Sequence, residues 1–133
     1  MNTLYFDGAS RSNPGHASFG GVIYNSNNVE MINYSKYIGV DTNNVAEYLG
    51  CLAGVRVALN NNIKSLKVYG DSMLVINQLN NKWKVKNNNL KKIHTEIHKF
   101  IPKFDHIEFH HVYRNNNKKA DALANEALDD SGF

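Results

Sequence analysis

With one cysteine and two prolines in 133 residues, the chain has almost nothing to staple or kink it. A lone Cys51 excludes an internal disulfide framework, and its place inside an apolar helical run gives it the role of a small core residue. No apolar run approaches the roughly 20 residues a membrane span needs, so no spanning helix is expected. The opening Met1-Asn2-Thr3-Leu4-Tyr5-Phe6-Asp7 lacks the cationic stretch, apolar core and cleavage site of a secretory signal, and the setting is read as cytoplasmic. Dense lysine and arginine blocks are also missing. A net charge of +3 and a pI of about 8.9 permit an anionic partner without announcing one. His94-Thr95-Glu96-Ile97-His98 is not an H-E-x-x-H arrangement, so no zinc site is expected and both histidines are read as surface residues. There is no internal repeat or linker, and residues 1–133 are read as one domain.

What is present suits a globular protein: 42% hydrophobic and 20% charged residues in a length that one core accommodates. Asparagine recurs in runs at 60–62, 87–89 and 115–117, each between periodic segments where turn formers belong. Leu4 to Phe6, Phe19 to Tyr24 and Met31 to Tyr37 read as three opening strands, the last two separated by Asn-Ser-Asn-Asn. A largely buried helix is expected from Asn43 to Leu59, a fourth strand over Leu66 to Tyr69, and a helix capped by Asp71 or Ser72. A further helix from about Leu90 to Phe100 stops at Pro102, followed by a strand from Ile107 to Val112 and a last helix from about Lys118 to Leu128. The order βββαβααβα combines a hairpin sheet with strands that return through helical crossovers. That predicts an α/β three-layer domain: a five-stranded mixed sheet with helices on both faces.

Four carboxylates occupy comparable places in this order: Asp7 and Asp71 at strand ends, Glu47 in the first turns of a helix, and Asp121 near the start of the last one. Turn or cap chemistry explains either of Asp7 and Asp71 alone. Glu47 is harder to place, because Val45-Ala46-Glu47-Tyr48-Leu49 is an apolar stretch and an unpaired buried charge costs several kcal/mol. Asp121 repeats the pattern within Ala120-Asp121-Ala122-Leu123-Ala124, although a helix N-terminus also stabilises it. Carboxylates forced together repel, and hard divalent cations relieve that repulsion. A Mg²⁺ or Mn²⁺ cluster is the economical reading.

These residues stand in longer motifs. Asp7-Gly8-Ala9-Ser10-Arg11-Ser12-Asn13-Pro14-Gly15 resembles the opening D-G-A/S-x-x-x-N-P-G of the ribonuclease H type I family, and Thr42-Asn43-Asn44-Val45-Ala46-Glu47 resembles its T-N-N-x-x-E. Gly70-Asp71-Ser72 is similar to its third acidic motif, and Arg114 through Asn117 to Ala120-Asp121-Ala122-Leu123-Ala124 to its closing R-x-x-N-x-x-A-D-x-L-A. All four occur in order across nearly the whole chain. The resemblance implies a ribonuclease H-like fold and an endonuclease that cuts the RNA strand of RNA/DNA hybrids with two Mg²⁺ ions, leaving 5′-phosphate and 3′-hydroxyl ends. In it Asp7 bridges both ions, Asp121 helps hold the one beside the attacking water, and Glu47 and Asp71 the one beside the leaving 3′ oxygen.

Telling RNA from DNA requires reading 2′-hydroxyls, which short amides can do. Asn13, Asn43, Asn44 and Gln78 are the candidates. Thr42 resembles the residue with which the family grips a DNA phosphate, and the motif members Gly8, Ser72, Arg114 and Asn117 are carried over as substrate contacts. Trp83-Lys84-Val85-Lys86 sets an aromatic between lysines, with Trp83, Lys84 and Lys86 suited to the DNA strand. Backbone and sugar contacts carry no base information, so little sequence preference is expected.

The chain departs from larger family members in two places. There is no room between Gln78 and Leu90 for a basic handle helix, and Tyr113-Arg114-Asn115-Asn116-Asn117 lacks their loop histidine; His110 and His111 are read as strand residues. No obligate protein partner is evident and a monomer is expected. Two rivals share parts of this pattern: another nuclease or strand-transfer enzyme of the same fold, and a non-catalytic binder of hybrid or double-stranded RNA. The motif details argue against the first. Four retained carboxylates argue against the second, since a binder of polyanions gains nothing from them.

Overall fold

Three antiparallel strands open the chain: β1 (Asn2–Ser10), β2 (Gly15–Tyr24) and β3 (Glu30–Asp41), in a computed structural model describing residues 1–133. The turn between β2 and β3 is built by its asparagines. Asn25 Oδ1 accepts from the N–H groups of Asn27 and Val29, and Asn28 takes a left-handed φ of 61°. Helix α1 (Asn43–Asn60) then carries the chain back to β4 (Ser65–Gly70), which lies parallel to β1. Helices α2 (Met73–Leu79) and α3 (Asn88–Phe100) form the second crossover, to β5 (His106–His111), parallel to β4. Helix α4 (Lys118–Asp130) ends the chain. The strand order is β3-β2-β1-β4-β5. The expected five-stranded mixed sheet is what forms.

Alternation along β1 separates the two faces. Leu4 and Phe6 belong to a cluster of 19 buried residues that also includes Tyr48, Val55, Leu66 and Val68. Each such side chain contributes about 1.5–3 kcal/mol when fully buried. Helix α1 is apolar nearly all round because it packs on β1 and β2 and is overlaid by α3. On the opposite face α4 lays a stripe of Ala120, Leu123, Ala124 and Leu128 against β1 and β2.

The strands run longer than the apolar runs alone indicate. Pairing of β1 with β2 continues to Ser10 opposite Ala17, so Asp7 lies within the strand opposite Gly20 and not at its exit. Two histidines also differ from expectation. His94 and His98 are half-buried and stacked at 4.0 Å, with His94 Nε2 hydrogen-bonded to the Gln78 carbonyl (3.0 Å) and His98 Nδ1 to the His94 carbonyl (2.9 Å). Cys51 is buried, and no helix is long and apolar enough to cross a membrane.

Gly20 is what lets α4 reach the sheet, since a Cβ there would stand 2.6 Å from the backbone nitrogen of Ala124. Gly20→Ala is expected to lower stability by about 1–3 kcal/mol through overpacking, read as a lower urea midpoint with an unchanged slope. An unaltered midpoint would show that the helix–sheet contact is looser than described.

Candidate active site

The four carboxylates converge from four elements: Asp7 from β1, Glu47 from α1, Asp71 from the residue after β4, and Asp121 from the first turn of α4. They line one cleft of about 560 Å³ together with Gly8, Ser10, Asn43, Ser72, Arg114 and Asn125. One carboxylate oxygen from each of Asp7, Glu47 and Asp71 lies within 4.8 Å of those of the other two. Asp7 is 5% exposed and Glu47 2%, so two of these charges have almost no water.

Each carboxylate is held by a nearby donor. The Gly8 N–H donates to Asp7 Oδ1 (2.9 Å) and to Glu47 Oε1 (3.0 Å). A Cβ on Gly8 would fall 2.5 Å from the Glu47 backbone nitrogen, so the absent side chain brings the two elements together. Asn117 Nδ2 donates to Asp71 Oδ2 (3.1 Å) and to the Phe6 carbonyl (2.9 Å), and Asn125 Nδ2 donates to Asp121 Oδ1 (3.2 Å). Glu47 Oε2 is buried with no partner. Burial pushes the Asp7 carboxyl up to about 7, and the neighbouring charges of Asp71 and Asp121 add to the rise. Burial, with Asp7 beside it, raises Glu47 well above the usual carboxylate range. An orphaned buried oxygen amid repelling carboxylates fits a hard divalent cation. Asp7, Glu47 and Asp71 could hold one.

The other residues singled out in the sequence fall into four groups. Asn43, Ser72 and Arg114 line the cleft, with Ser72 also capping α2 through Val75 N–H (3.3 Å). Thr42 caps α1 through Val45 N–H (3.2 Å), Asn44 lies in the first turn of α1, and Asn13 Oδ1 accepts from Asn43 N–H (3.0 Å). That last bond ties the β1–β2 loop to the helix start. Trp83, 47% exposed, and Lys84 line a separate hollow with Lys82, Lys91 and His94, while Lys86 is exposed nearby on the same loop.

Three candidates are turned inward. Gly8 is buried with its N–H taken by the carboxylates, and Asn117 is 1% exposed with its amide directed to Asp71 and β1. Gln78 is buried, accepting from Tyr48 Oη (2.6 Å) and donating to the Lys84 carbonyl (3.2 Å). Their polar groups are bonded within the protein, and Gly8 also borders the cleft. Asn125 is an addition the motifs did not contain. Asn125 lies one helical turn beyond Asp121, a spacing that could have identified it.

The fold agrees with that of known proteins. A family model described as reverse transcriptase-like matches residues 5–127. Ribonuclease HI of Halobacterium salinarum is 39% identical over 127 residues, covering 96% of this chain and 64% of that protein. A bifunctional Mycobacterium tuberculosis protein is 40% identical over 124 residues, of which this chain spans 34% of the length. The crystal structure of ribonuclease H1 from Halobacterium salinarum superposes with a TM-score of 0.94 at 38% identity, covering 97% of this chain and 98% of that one. LC11 ribonuclease H1 in complex with an RNA/DNA hybrid matches with a TM-score of 0.94 at 31% identity over the full length of both chains. The architecture is ribonuclease H-like. The chain belongs to the ribonuclease H type I family.

The crowding of charge has a measurable consequence. A carboxyl raised to about 7 in the folded state but ordinary in the unfolded one lends stability at low pH that is lost as pH rises through about 7. In metal-free protein, Asp7→Asn should therefore raise the unfolding midpoint at pH 8, by an amount on the order of 2 kcal/mol, with the advantage vanishing near pH 4. Equal midpoints at pH 8 would mean that Asp7 is not under electrostatic stress.

Proposed function

We propose that this chain is an endonuclease that hydrolyses the RNA strand of RNA/DNA hybrids, leaving 5′-phosphate and 3′-hydroxyl ends with little sequence preference. The observation that carries the reading is the convergence of four carboxylates on one polar cleft, with Glu47 Oε2 buried and unpartnered. A polyanion has no reason to approach such a cleft unless cations stand between them. Two Mg²⁺ ions, or Mn²⁺ on the same oxygen ligands, would supply charge stabilisation for both the attacking and departing oxygens of an in-line phosphoryl displacement. Following the family pattern, Asp7 would help hold both ions, Asp121 one of them, and Glu47 and Asp71 the other.

The remaining chemistry belongs to the chain's own groups. Gly8 N–H, Asn117 and Asn125 fix the carboxylate oxygens in place, so little rearrangement is needed on loading. Asn43 and Asn44 beside Glu47 are assigned to the 2′-hydroxyls, with Asn13 bracing them through the Asn43 N–H. Arg114 faces a phosphate across the cleft, and Thr42 another on the DNA strand. Trp83 with Lys84 and Lys86 supplies a stacking surface and charge for the DNA strand, in place of a handle helix that eight residues, Asn80 to Asn87, cannot form. A monomeric unit in the cytoplasm belongs to the same proposal.

The test offers labelled RNA/DNA hybrid, duplex RNA and duplex DNA with Mg²⁺ and then with EDTA. Cleavage confined to the RNA of the hybrid and abolished by EDTA is expected. Asp7→Asn should lose at least about 100-fold in rate while still binding hybrid. An untouched hybrid, or three substrates cut alike, refutes the proposal.

A further inference from the structure

The edge strand β5 carries three side chains that neither the acidic cleft nor the core uses. His106, Glu108 and His110 alternate along it, and the period of two turns all three to the same face of the sheet. Their side chains are 50%, 32% and 45% exposed. Helix α4 packs on that face over β1 and β2, whereas β5 lies at the far end of the sheet, beyond β4.

The two histidines converge on the acid between them. Glu108 Oε2 is paired with His106 Nε2, and Glu108 Oε1 with His110 Nε2 at 2.6 Å. The ring of His110 is in turn stacked on that of Tyr69, its cross-strand neighbour, at 5.5 Å. Lys67 stands opposite Glu108 in register, yet both carboxylate oxygens turn to imidazoles and no ion pair joins Glu108 to the lysine. His94 and His98 on α3 differ, because their rings bond to backbone carbonyls.

We propose that His106, Glu108 and His110 form a surface site for a transition-metal dication, Zn²⁺ or another ion that prefers imidazole nitrogen, distinct from the acidic cleft. Two imidazoles and one carboxylate are a donor set that zinc takes readily, whereas magnesium favours oxygen alone. The ion would stand where protons now lie between nitrogen and oxygen. A neutral ring that gives up its Nε2 proton carries it on Nδ1 instead. An ion shared by all three must draw together two nitrogens that now sit on different oxygens, and exposed side chains can turn that far. Exposed ion pairs by themselves contribute little to stability, so the ion-free alternative predicts no response to metal. The site does not rest on the cleavage proposal, since none of the three residues lines the acidic cleft.

The test titrates Zn²⁺ into the isotope-labelled full chain with Mg²⁺ in excess and follows the imidazole nitrogens by NMR. The rings of His106 and His110 should shift and saturate together, and should do so equally in Asp7→Asn. His106→Ala, His110→Ala and Glu108→Gln should each weaken that Zn²⁺ binding at least about tenfold, with amide shifts outside β5 unchanged as evidence of intact folding. The proposal is overturned if Zn²⁺ moves only residues of the acidic cleft, if Mg²⁺ moves the two rings as far as Zn²⁺ does, or if losing either histidine leaves the affinity unchanged.

Discussion

One backbone N–H, that of Gly8, is shared between the carboxylates of Asp7 and Glu47, and the rest of the site depends on that sharing. Two buried acids in contact through a single donor are under-satisfied by construction. The glycine serves twice: its N–H orients the carboxylates, and its missing Cβ lets α1 descend onto β1 until Glu47 meets Asp7. Any larger residue would separate the carboxylates it now holds together.

The same logic extends outward. Asp71 takes its orientation from Asn117, whose amide also grips the Phe6 carbonyl on β1, so one buried side chain connects β1, the end of β4 and the start of α4. Asp121 is steadied by Asn125 and by the N-terminal dipole of its helix. The carboxylates thus rest on helices and strands. The parts that would meet substrate, namely the Trp83 loop, Arg114 and the Asn13 loop, are exposed and less constrained. This division suits an enzyme whose chemistry is exacting and whose substrate is recognised by shape and backbone.

Much of this was legible in the sequence, and what was hidden has physical reasons. Element order and the mixed sheet follow from apolar periodicity and from the length of the crossovers, and Glu47 stood out as an acid in an apolar helix. Strand length did not emerge, because Asp7 and Gly8 resemble a turn until the pairing partner Gly20 is known. Nor did burial direction: Asn117 and Gln78 are short polar residues on motif-bearing segments, and only tertiary packing turns their amides inward to Asp71 and to Tyr48. Motif spacing brought the four acids into one list; it did not say that Asp7, Glu47 and Asp71 crowd within 4.8 Å while Asp121 joins from the side.

The carboxylate cluster is assembled under electrostatic stress that bound cations would relieve. Titrating Mg²⁺ into metal-free protein at pH 8 and following the thermal unfolding midpoint tests it most directly. The midpoint should climb with concentration as expected for a ligand that binds only the folded state, reaching about 2.7 kcal/mol at 100 times the dissociation constant, and the climb should be largely lost in Glu47→Gln. A midpoint that ignores Mg²⁺, or rises equally in the variant, would contradict the account.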